Sequence, residues 1–197
     1  MPKYHHGNLR NALLSIAAEL LAEDGLHALS LRKMAQRAGV SHNAPYMHFA
    51  DKEAVLVAIA EEGFRLLSVE VESAISQSST TRLQLISASN AYVNFALNYP
   101  NHVQLMFCAY DEEKYPSLLE SSQASLHRLF ELVKTGQEKR ELISGNTQEM
   151  TKAIWAMVHG VATLSIAYKT NSLLPGKIST AETISVFIDC LLDGLAA

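Results

Sequence analysis

Apolar residues recur three and four positions apart along almost the whole chain, the spacing that places side chains on one face of an α-helix. The 197 residues include only five prolines and nine glycines, too few for the many tight turns of a sheet-based fold. Apolar residues make up 48% of the chain, which is enough to form a core. We therefore expect an all-α protein of about nine helices.

The first two helical patterns each end at a glycine. The first covers residues 8 to 23 and is followed by Gly25. Ser30 is a good N-cap for the second, because its hydroxyl can accept a hydrogen bond from the first turn. Gly39 supplies the left-handed residue that ends this helix. The sequence thus predicts one long and one short helix before residue 40.

A third, very short segment follows, for which Ser41 is the candidate cap. Asp51 can cap a longer helix from Lys52 to about Ile75. Two helices joined by a short turn that includes a glycine form the helix-turn-helix pattern. We place this pattern at about residues 30–49, within an amino-terminal three-helix domain.

A helix that enters the DNA major groove is held from behind by other helices, so its inner side is apolar and its outer side is polar. The candidates for the inner side are Val40, Tyr46 and Phe49, and those for the outer side are His42, Asn43 and His48. A tight corner in any helical bundle has the same spacing. The spacing alone therefore leaves both DNA binding and a structural corner open.

The run from Leu9 to Leu56 contains SIAAELLAEDGLHALSLRKMAQRAGVSHNAPYMHFADKEAV and resembles the DNA-binding domain of the TetR family of transcriptional repressors. The shared features are AEDG at the end of the first helix, a Ser before the second, AGVS at the turn, Tyr and His-Phe in the third, and Lys-Glu opening the fourth. They cover roughly 50 contiguous residues in the same order. The resemblance implies a regulator that binds double-stranded DNA.

The resemblance also implies which residues meet the DNA. Phosphate contacts set the register of a protein on DNA, and base contacts set its sequence preference. The implied phosphate contacts are Ser30, Arg32, Tyr46, His48 and Lys52, and the implied base contacts are His42, Asn43 and Ala44. Two of them have a structural alternative, Tyr46 as a core aromatic residue and Lys52 as a solvated residue of a first helical turn.

Pro45 departs from a regular third helix. It lacks the N–H that would bond back toward Ser41, and it disfavours helical geometry at Ala44. We expect this helix to start late or to be distorted. Upstream, the run from Lys3 to His6 is either an arm near the DNA or a disordered end.

The charge balance suits DNA only in the amino-terminal part. The chain has a net charge of −4, whereas residues 1–53 carry six basic and five acidic side chains. Nonspecific affinity for DNA is therefore expected to be modest, so tight binding requires a pair of such domains.

A polar break, SQSSTT, follows residue 75, and further helical patterns continue beyond it. We predict two domains, a DNA-binding domain at residues 1–55 and a ligand-binding and dimerisation domain at residues 56–197. These domains make the predicted fold an amino-terminal helix-turn-helix domain followed by a helical bundle.

The segment AIWAMVHGVATL, residues 153–164, is similar to a Trp and His-Gly signature in the carboxy-terminal domain of one TetR branch. Trp155 and His159 are four residues apart and therefore share a helix face. The predicted effector pocket consists of Tyr92, Phe95, Met106, Phe107, Tyr110, Trp155 and His159. The same residues also fit a filled core, because a sequence does not distinguish a pocket from a core.

The last two long patterns, residues 148–169 and 180–195, have more apolar surface than one small bundle needs. They predict a four-helix interface between two copies of the chain. The predicted interface residues are Val158, Val161, Ile184, Phe187, Ile188 and Leu191. The alternative is that these residues form the core of a single chain.

Several functions are excluded by missing patterns. The chain has no GxSxG, Gly-rich phosphate loop, HExxH or Cys/His zinc spacing, so we expect no enzyme activity, metal site or cofactor. Cys108 and Cys190 lie in apolar segments and are predicted to be buried free thiols. No apolar run reaches the roughly 18 residues that span a bilayer. We therefore expect a cytoplasmic protein with no membrane partner.

The predicted function is that of a ligand-responsive transcriptional regulator. We expect a homodimeric repressor that a small apolar or aromatic effector releases from its operator. The alternative is a DNA-binding helical protein without ligand sensing, either an architectural protein or a constitutive regulator.

Overall fold

The computed structural model describes residues 9–167 and 180–194, which contain eight α-helices, two short 3-10 helices and no strand. The all-α prediction is confirmed, and the helix count is close to the expected number. The predicted arm, Lys3 to His6, lies outside the described residues. The α-helices are α1 (Leu9–Asp24), α2 (Leu31–Ala38), α3 (Lys52–Ile75), α4 (Thr81–Asn98), α5 (Pro100–Met106), α6 (Pro116–Glu138), α7 (Thr147–Ala167) and α8 (Thr180–Gly194), and the 3-10 helices are Leu26–Ala28 and Pro45–Met47.

A serine and a glycine fix the two ends of α2, as the sequence predicts. The Ser30 hydroxyl accepts a hydrogen bond from the N–H of Lys33 at 3.2 Å. After α2, Gly39 has a φ of 67°, a left-handed conformation that a β-carbon disfavours. The N–H of Val40 then donates to the carbonyl of Ala35 at 3.1 Å. This Schellman arrangement turns the chain sharply out of α2.

Helices α1 and α2 pack through their apolar faces and are joined by ion pairs at the surface. Arg37 makes a bidentate pair with Glu23 at 2.5 and 2.6 Å, and Lys33 Nζ lies 2.6 Å from the Asp24 carboxylate. Two basic side chains of α2 are thus held by α1. The buried residues are Leu13, Ile16, Ala17, Leu20 and Leu21 of α1 with Leu31, Met34 and Ala35 of α2.

Helix α3 has the bounds that the sequence predicts. Asp51 caps it by accepting a hydrogen bond from the N–H of Ala54 at 2.8 Å. The helix then continues for 24 residues without a break. Such a helix leaves no linker at the position where the sequence suggests a domain boundary.

The chain divides into two compact units. The first contains Met1–Gly63 and Asn101–Leu119, and the second contains Phe64–Pro100 and Glu120–Ala197. This division differs from the single boundary predicted at residue 55. The reason is that α3 contributes to both units, and a later segment of the chain returns to the first.

In the second unit, α4 packs against α7 and α8. The almost fully buried side chains are Leu85, Val93 and Phe95 of α4, Ile154 and Val158 of α7, and Ile184 and Ile188 of α8. Val158, Ile184 and Ile188 were predicted to face a second copy, but they lie in the core of one chain because the α4 bundle already covers them. Of the other predicted interface residues, Phe187 is 41% exposed, and Val161 and Leu191 are half-buried.

The prediction that both thiols are buried is wrong, because Cys108 and Cys190 are exposed. Cys108 lies just beyond the end of α5, and Cys190 is two positions after the buried Ile188, which turns it to the opposite side of α8. Among the described helices, α7 is long and apolar enough to cross a membrane by length and composition. One such helix is weak evidence for a membrane span, and part of α7 packs against α4 and α8 within the chain.

Gly136 lies near the end of α6, where the following loop folds back over it. Its carbonyl accepts hydrogen bonds from the N–H groups of Glu141 and Leu142 at 2.9 and 3.1 Å. A β-carbon on Gly136 would lie 2.5 Å from Cγ2 of Thr81 and 2.8 Å from Cδ1 of Leu142. Thr81 is fully buried, and its N–H donates to the Glu141 carboxylate at 2.6 Å. The glycine is therefore required by close packing.

We predict that Gly136→Ala lowers the free energy of unfolding. Alanine favours a helix by about 1 kcal/mol over glycine, but overpacking a filled site costs about 1–3 kcal/mol, and the stiff Thr81 has little room to adjust. Chemical denaturation measures the difference. The matched control is Gly145→Ala, where a β-carbon meets nothing within 4 Å. Equal stability of the two variants would contradict the packing argument.

Candidate functional site

The helix-turn-helix ends in a segment held by hydrogen bonds of the 3-10 type. The carbonyls of Ser41, Asn43, Ala44 and Pro45 accept hydrogen bonds from the N–H groups three residues later, at 3.0–3.2 Å. Pro45 has no N–H, so the bond from position 45 to His42 is absent. In an α-helix the proline ring would meet the carbonyl of Ser41. In the 3-10 geometry that carbonyl instead accepts from Ala44, which confirms the predicted distortion.

This geometry determines which side chains of the segment point inward. Pro45 is buried, and Phe49 is only 3% exposed. Tyr46 is 51% exposed, so the prediction that it anchors the inner side is wrong, because the proline ring takes that place. Met47 is 82% exposed, and His48 is also exposed. The segment therefore presents three consecutive side chains outward.

The predicted base-contacting residues lie beside this outward face. His42 and Asn43 are exposed, whereas Ala44 is half-buried. The rings of His42 and Tyr46 stack, with centroids 6.3 Å apart and planes 15° apart. A predicted base contact and a predicted phosphate contact thus form one aromatic surface.

Sequence reasoning missed Met47. A methionine between aromatic and histidine side chains suggests core packing, yet Met47 has the highest exposed fraction among the exposed large apolar residues of the described chain. The signal that could have identified it is its place between Tyr46 and His48, both predicted to face DNA. Because Pro45 is buried, the two residues that follow it, Tyr46 and Met47, lie on the exposed side of the segment.

The predicted phosphate contacts Ser30, Arg32 and Lys52 lie at the starts of two helices. Ser30 and Arg32 are exposed at the beginning of α2. Lys52 is half-buried, and its ammonium donates to the carbonyl of Leu26 at 2.6 Å. An ammonium has three donors. The bond to Leu26 therefore orients Lys52 and leaves donors for an anionic partner.

In the second unit, three of the predicted pocket residues are in contact. The hydroxyl of Tyr92 and Nδ1 of His159 are 2.8 Å apart, and the Trp155 ring stacks on His159 with centroids 5.5 Å apart. Burial raises the pKa of Tyr92 and lowers the pKa of His159. Both shifts favour the neutral form, so the cluster suits a weakly polar group better than a strongly charged one.

The structure does not add the other four predicted pocket residues to this cluster. Phe95 is fully buried and packs on the Tyr99 ring at 5.0 Å, which is a core position. Met106, Phe107 and Tyr110 belong to the first unit. Met106 is buried and Phe107 is 39% exposed. The Tyr110 hydroxyl is buried without a hydrogen-bond partner in the described chain, and burial raises the pKa of Tyr110 to about 12.

Family models match both parts of the chain. The model of bacterial regulatory proteins of the tetR family matches residues 13–59, and that of the tetracyclin repressor-like C-terminal domain matches residues 85–187, more than half of the chain. The chain belongs to the TetR family of transcriptional regulators. The resemblance found in the amino-terminal residues is confirmed, whereas the Trp and His-Gly branch stays a prediction.

Individual relatives agree with this family. The chain is 30% identical over 98 residues to the HTH-type transcriptional activator FasR of Mycolicibacterium smegmatis, which is 50% of this chain and 45% of that protein. The chain thus matches less than half the length of the curated relatives. A structure of a protein of unknown function from Rhodococcus sp. RHA1 is 31% identical, with a TM-score of 0.86 and full coverage of both chains.

The regulator FadR from Bacillus subtilis, in complex with stearoyl-CoA, shares the fold. It is 18% identical, has a TM-score of 0.77, and is matched over 93% of this chain and 98% of that chain. TetR-family proteins are DNA-binding regulators and not enzymes, which confirms the prediction that this chain has no enzymatic function. Among residues 9–167 and 180–194, no group of three or more metal-binding side chains lies together.

Proposed function

We propose that this TetR-family regulator binds operator DNA as a homodimer, represses transcription, and releases the DNA when a largely apolar effector binds at the Tyr92–His159–Trp155 cluster. The observation that carries the DNA-binding part is the outward face at Tyr46, Met47 and His48, beside the exposed His42 and Asn43. Buried Pro45 holds this face away from the core. The second unit supplies the effector and dimer contacts.

The DNA face contains both kinds of contact. Ser30, Arg32, Tyr46, His48 and Lys52 meet phosphates, while His42, Asn43 and Ala44 face bases. Met47 adds an apolar side chain between two polar ones. Apolar groups discriminate base pairs in the major groove by contact with the thymine methyl group. We assign Met47 to this contact.

Phosphate and base contacts are distinguishable by mutation. Lys52→Ala should weaken binding to every DNA sequence about equally and lower the salt slope by roughly one unit, because one counterion fewer is released. Met47→Ala should leave the salt slope unchanged and relax the preference for an A·T pair by at most about 1–3 kcal/mol, the typical cost of one mismatched base pair. Fluorescence anisotropy on duplexes selected by the wild-type protein measures both.

Asn43→Ala tests the same reading on a polar base contact, and Met150→Ala, in the core of the second unit, serves as the control for loss of a methionine. A folded Met150→Ala protein should retain the sequence preference of wild type. Uniform loss of affinity in Met47→Ala over all duplexes would remove Met47 from base recognition.

An apolar strip on α7 and α8 is the proposed dimer face. Leu164 and Val186 are 58% and 59% exposed, and Phe187 is 41% exposed. A β-carbon on Gly160, in the middle of α7, meets nothing within 4 Å, so another helix can approach closely there. On both helices, part of the apolar face lies outside the core of the single chain. A two-fold axis through such a face makes it self-complementary.

Charge on this face should separate the copies. Phe187→Glu places two carboxylates opposite each other across the two-fold axis, so we expect folded monomers and loss of operator binding, since two half-sites are no longer engaged together. Light scattering and circular dichroism measure assembly and folding. Leu83→Glu is the matched control, because Leu83 is 49% exposed on α4. A folded Phe187→Glu dimer would exclude this face.

The effector chemistry follows from the cluster and from the relatives. The Trp155 and Tyr92 rings contribute apolar surface, and the neutral pair of His159 and Tyr92 is the polar part of the cluster. The fatty acid metabolism regulator of Bacillus subtilis is 29% identical over 73 residues, 37% of this chain and 38% of that protein. The FadR regulator from Bacillus subtilis is in complex with stearoyl-CoA. We therefore propose an aliphatic acyl group or an aromatic ring as the bound part.

Trp155 is the only tryptophan, so its fluorescence reports this site. Stearoyl-CoA and simple aromatic acids should be titrated against wild type and His159→Phe, which keeps a ring on Trp155 and removes the polar nitrogens. We expect a coupling of about 1–3 kcal/mol between effector and operator, or 5-fold to 150-fold release, that is reduced in the variant. A compound that releases DNA from both proteins without changing the emission would place the pocket elsewhere. No release by any compound would favour a regulator without ligand sensing.

A further inference from the structure

The loop between α5 and α6 contacts the first turn of α3. Lys114 forms an ion pair with the Glu53 carboxylate and lies 3.8 Å from the Asp51 carboxylate. The Tyr115 hydroxyl donates a hydrogen bond to the same Glu53 oxygen at 2.9 Å. All four residues belong to the first unit. A segment 61 residues further along the chain thus holds the turn that also carries Lys52.

The loop is ordered before it reaches α3. One carboxylate oxygen of Asp111 accepts hydrogen bonds from the N–H groups of Glu113 and Lys114 at 3.0 and 3.2 Å, and its carbonyl accepts from Tyr115 at 3.0 Å. The Lys114 ammonium lies 4.8 Å from the centre of the Tyr115 ring. Hydrogen bonds within the loop therefore hold Lys114 and Tyr115 next to each other before they contact Glu53.

The first turn of α3 has two further fixed contacts. The Lys52 ammonium donates to the carbonyl of Leu26, and Asp51 caps the N–H of Ala54. Lys114 and, to a smaller degree, Tyr115 lower the pKa of Glu53 by hydrogen bonding to its carboxylate. Glu53 therefore remains ionised and paired at neutral pH. Three successive residues, 51 to 53, each have a fixed partner.

Further contacts keep the same segment beside α3. The Ser117 hydroxyl donates to Glu61 at 2.5 Å, and Glu61 follows Glu53 by about two helical turns on the same face. A β-carbon on Gly63 would lie 2.7 Å from Sδ of Met106, so α5 approaches the α3 backbone closely there. The stretch from Met106 to Ser117 is therefore attached to α3 at several points within the first unit.

We propose that Lys114 and Tyr115 are positioning residues for DNA binding, which act through Glu53 to hold the first turn of α3 so that Lys52 meets a phosphate. This inference rests on the proposed phosphate contact of Lys52. Exposed ion pairs contribute little to stability. Their effect here is geometric, because a side chain that is already oriented loses less freedom when it binds its partner. DNA affinity then depends on the conformation of a loop outside the helix-turn-helix.

Two variants separate positioning from simple charge effects. Glu53→Gln removes a negative charge near the DNA face, so charge alone predicts tighter binding, whereas positioning predicts binding about threefold to tenfold weaker, roughly the range of one lost contact. Tyr115→Phe changes no charge and removes only the hydroxyl. Positioning predicts weaker binding here also. Anisotropy on a duplex selected from random sequence by the wild-type protein gives the affinities, and circular dichroism confirms folding.

Combining these variants with Lys52→Ala tests whether they weaken DNA binding through Lys52. If the latch of Lys114, Tyr115 and Glu53 acts through Lys52, then Tyr115→Phe and Glu53→Gln lower the salt slope by roughly one unit, as Lys52→Ala does. Neither should weaken binding further when combined with Lys52→Ala. Lys114→Met should behave in the same way. A further loss of one unit of slope in the Lys114→Met, Lys52→Ala double variant would make Lys114 itself a phosphate contact and overturn the positioning role.

Matched controls carry the same charge changes without touching the latch. Glu112→Gln removes an exposed carboxylate from the same loop, and Lys134→Met removes an exposed ammonium from the second unit. Neither should weaken binding as the latch variants do. Lys52→Ala with an unchanged salt slope refutes the proposed phosphate contact and, with it, the inference. If Lys52→Ala lowers the salt slope as expected but Tyr115→Phe and Glu53→Gln bind DNA with wild-type affinity, the positioning role is refuted and the phosphate contact of Lys52 stands.

Discussion

The hydrogen bond from Ala54 to the Asp51 carboxylate fixes where the longest helix of the chain begins. Because α3 runs for 24 residues from that cap, one local interaction sets the start of a helix that contributes to both compact units. The same turn carries Lys52, proposed to contact DNA, and Glu53, which binds the loop before α6. A helix start thus joins the DNA-binding segment to the remainder of its unit through side chains that are adjacent in sequence.

The electrostatics explain how an acidic chain presents a surface to DNA. Two of its amino-terminal basic residues, Lys33 and Arg37, are neutralised by Asp24 and Glu23 of α1. These pairs stabilise the packing of α2 against α1, so they are poor candidates for phosphate contacts. Of the other described basic residues there, Arg10 lies over the Phe49 ring, and Arg32 and Lys52 are the proposed phosphate contacts, together with hydroxyl and imidazole groups. With so few charges per chain, tight binding is expected to need two copies acting together, and the exposed strip at Phe187 is the proposed face for that pairing.

Sequence patterns predicted the features that depend on local chemistry. The Ser30 and Asp51 caps, the left-handed Gly39, the bounds of α3 and the distortion at Pro45 all follow from a few adjacent residues, and the structure contains each of them. The family resemblance rests on the same short-range signals. Short-range sequence signals do not show which helix packs against a given apolar face.

Ile184 and Ile188 illustrate this limit, since their helical spacing shows that they are buried but does not say against what. The α4 helix covers them within one chain, whereas Phe187, one position away, faces outward. The inner-side interpretation of Tyr46 was wrong, and Met47 was not singled out, for a related reason. Side-chain type suggests burial for both, but the buried Pro45 occupies the inner position and turns them to the surface. The pocket residues fall into two units because their grouping rested on side-chain type and on a short family resemblance, neither of which fixes long-range contacts.

The 3-10 geometry around Pro45 also affects how far apart the exposed side chains of this segment lie. A 3-10 helix rises about 2.0 Å per residue and an α-helix about 1.5 Å. Because the 3-10 helix covers only Pro45–Met47, each residue step within it lengthens the segment by about 0.5 Å relative to an α-helix. A recognition segment with an alanine at position 45 could form a regular α-turn and shorten this span. The proline therefore does more than interrupt a helix, because it sets how the exposed Tyr46, Met47 and His48 are spaced along the segment.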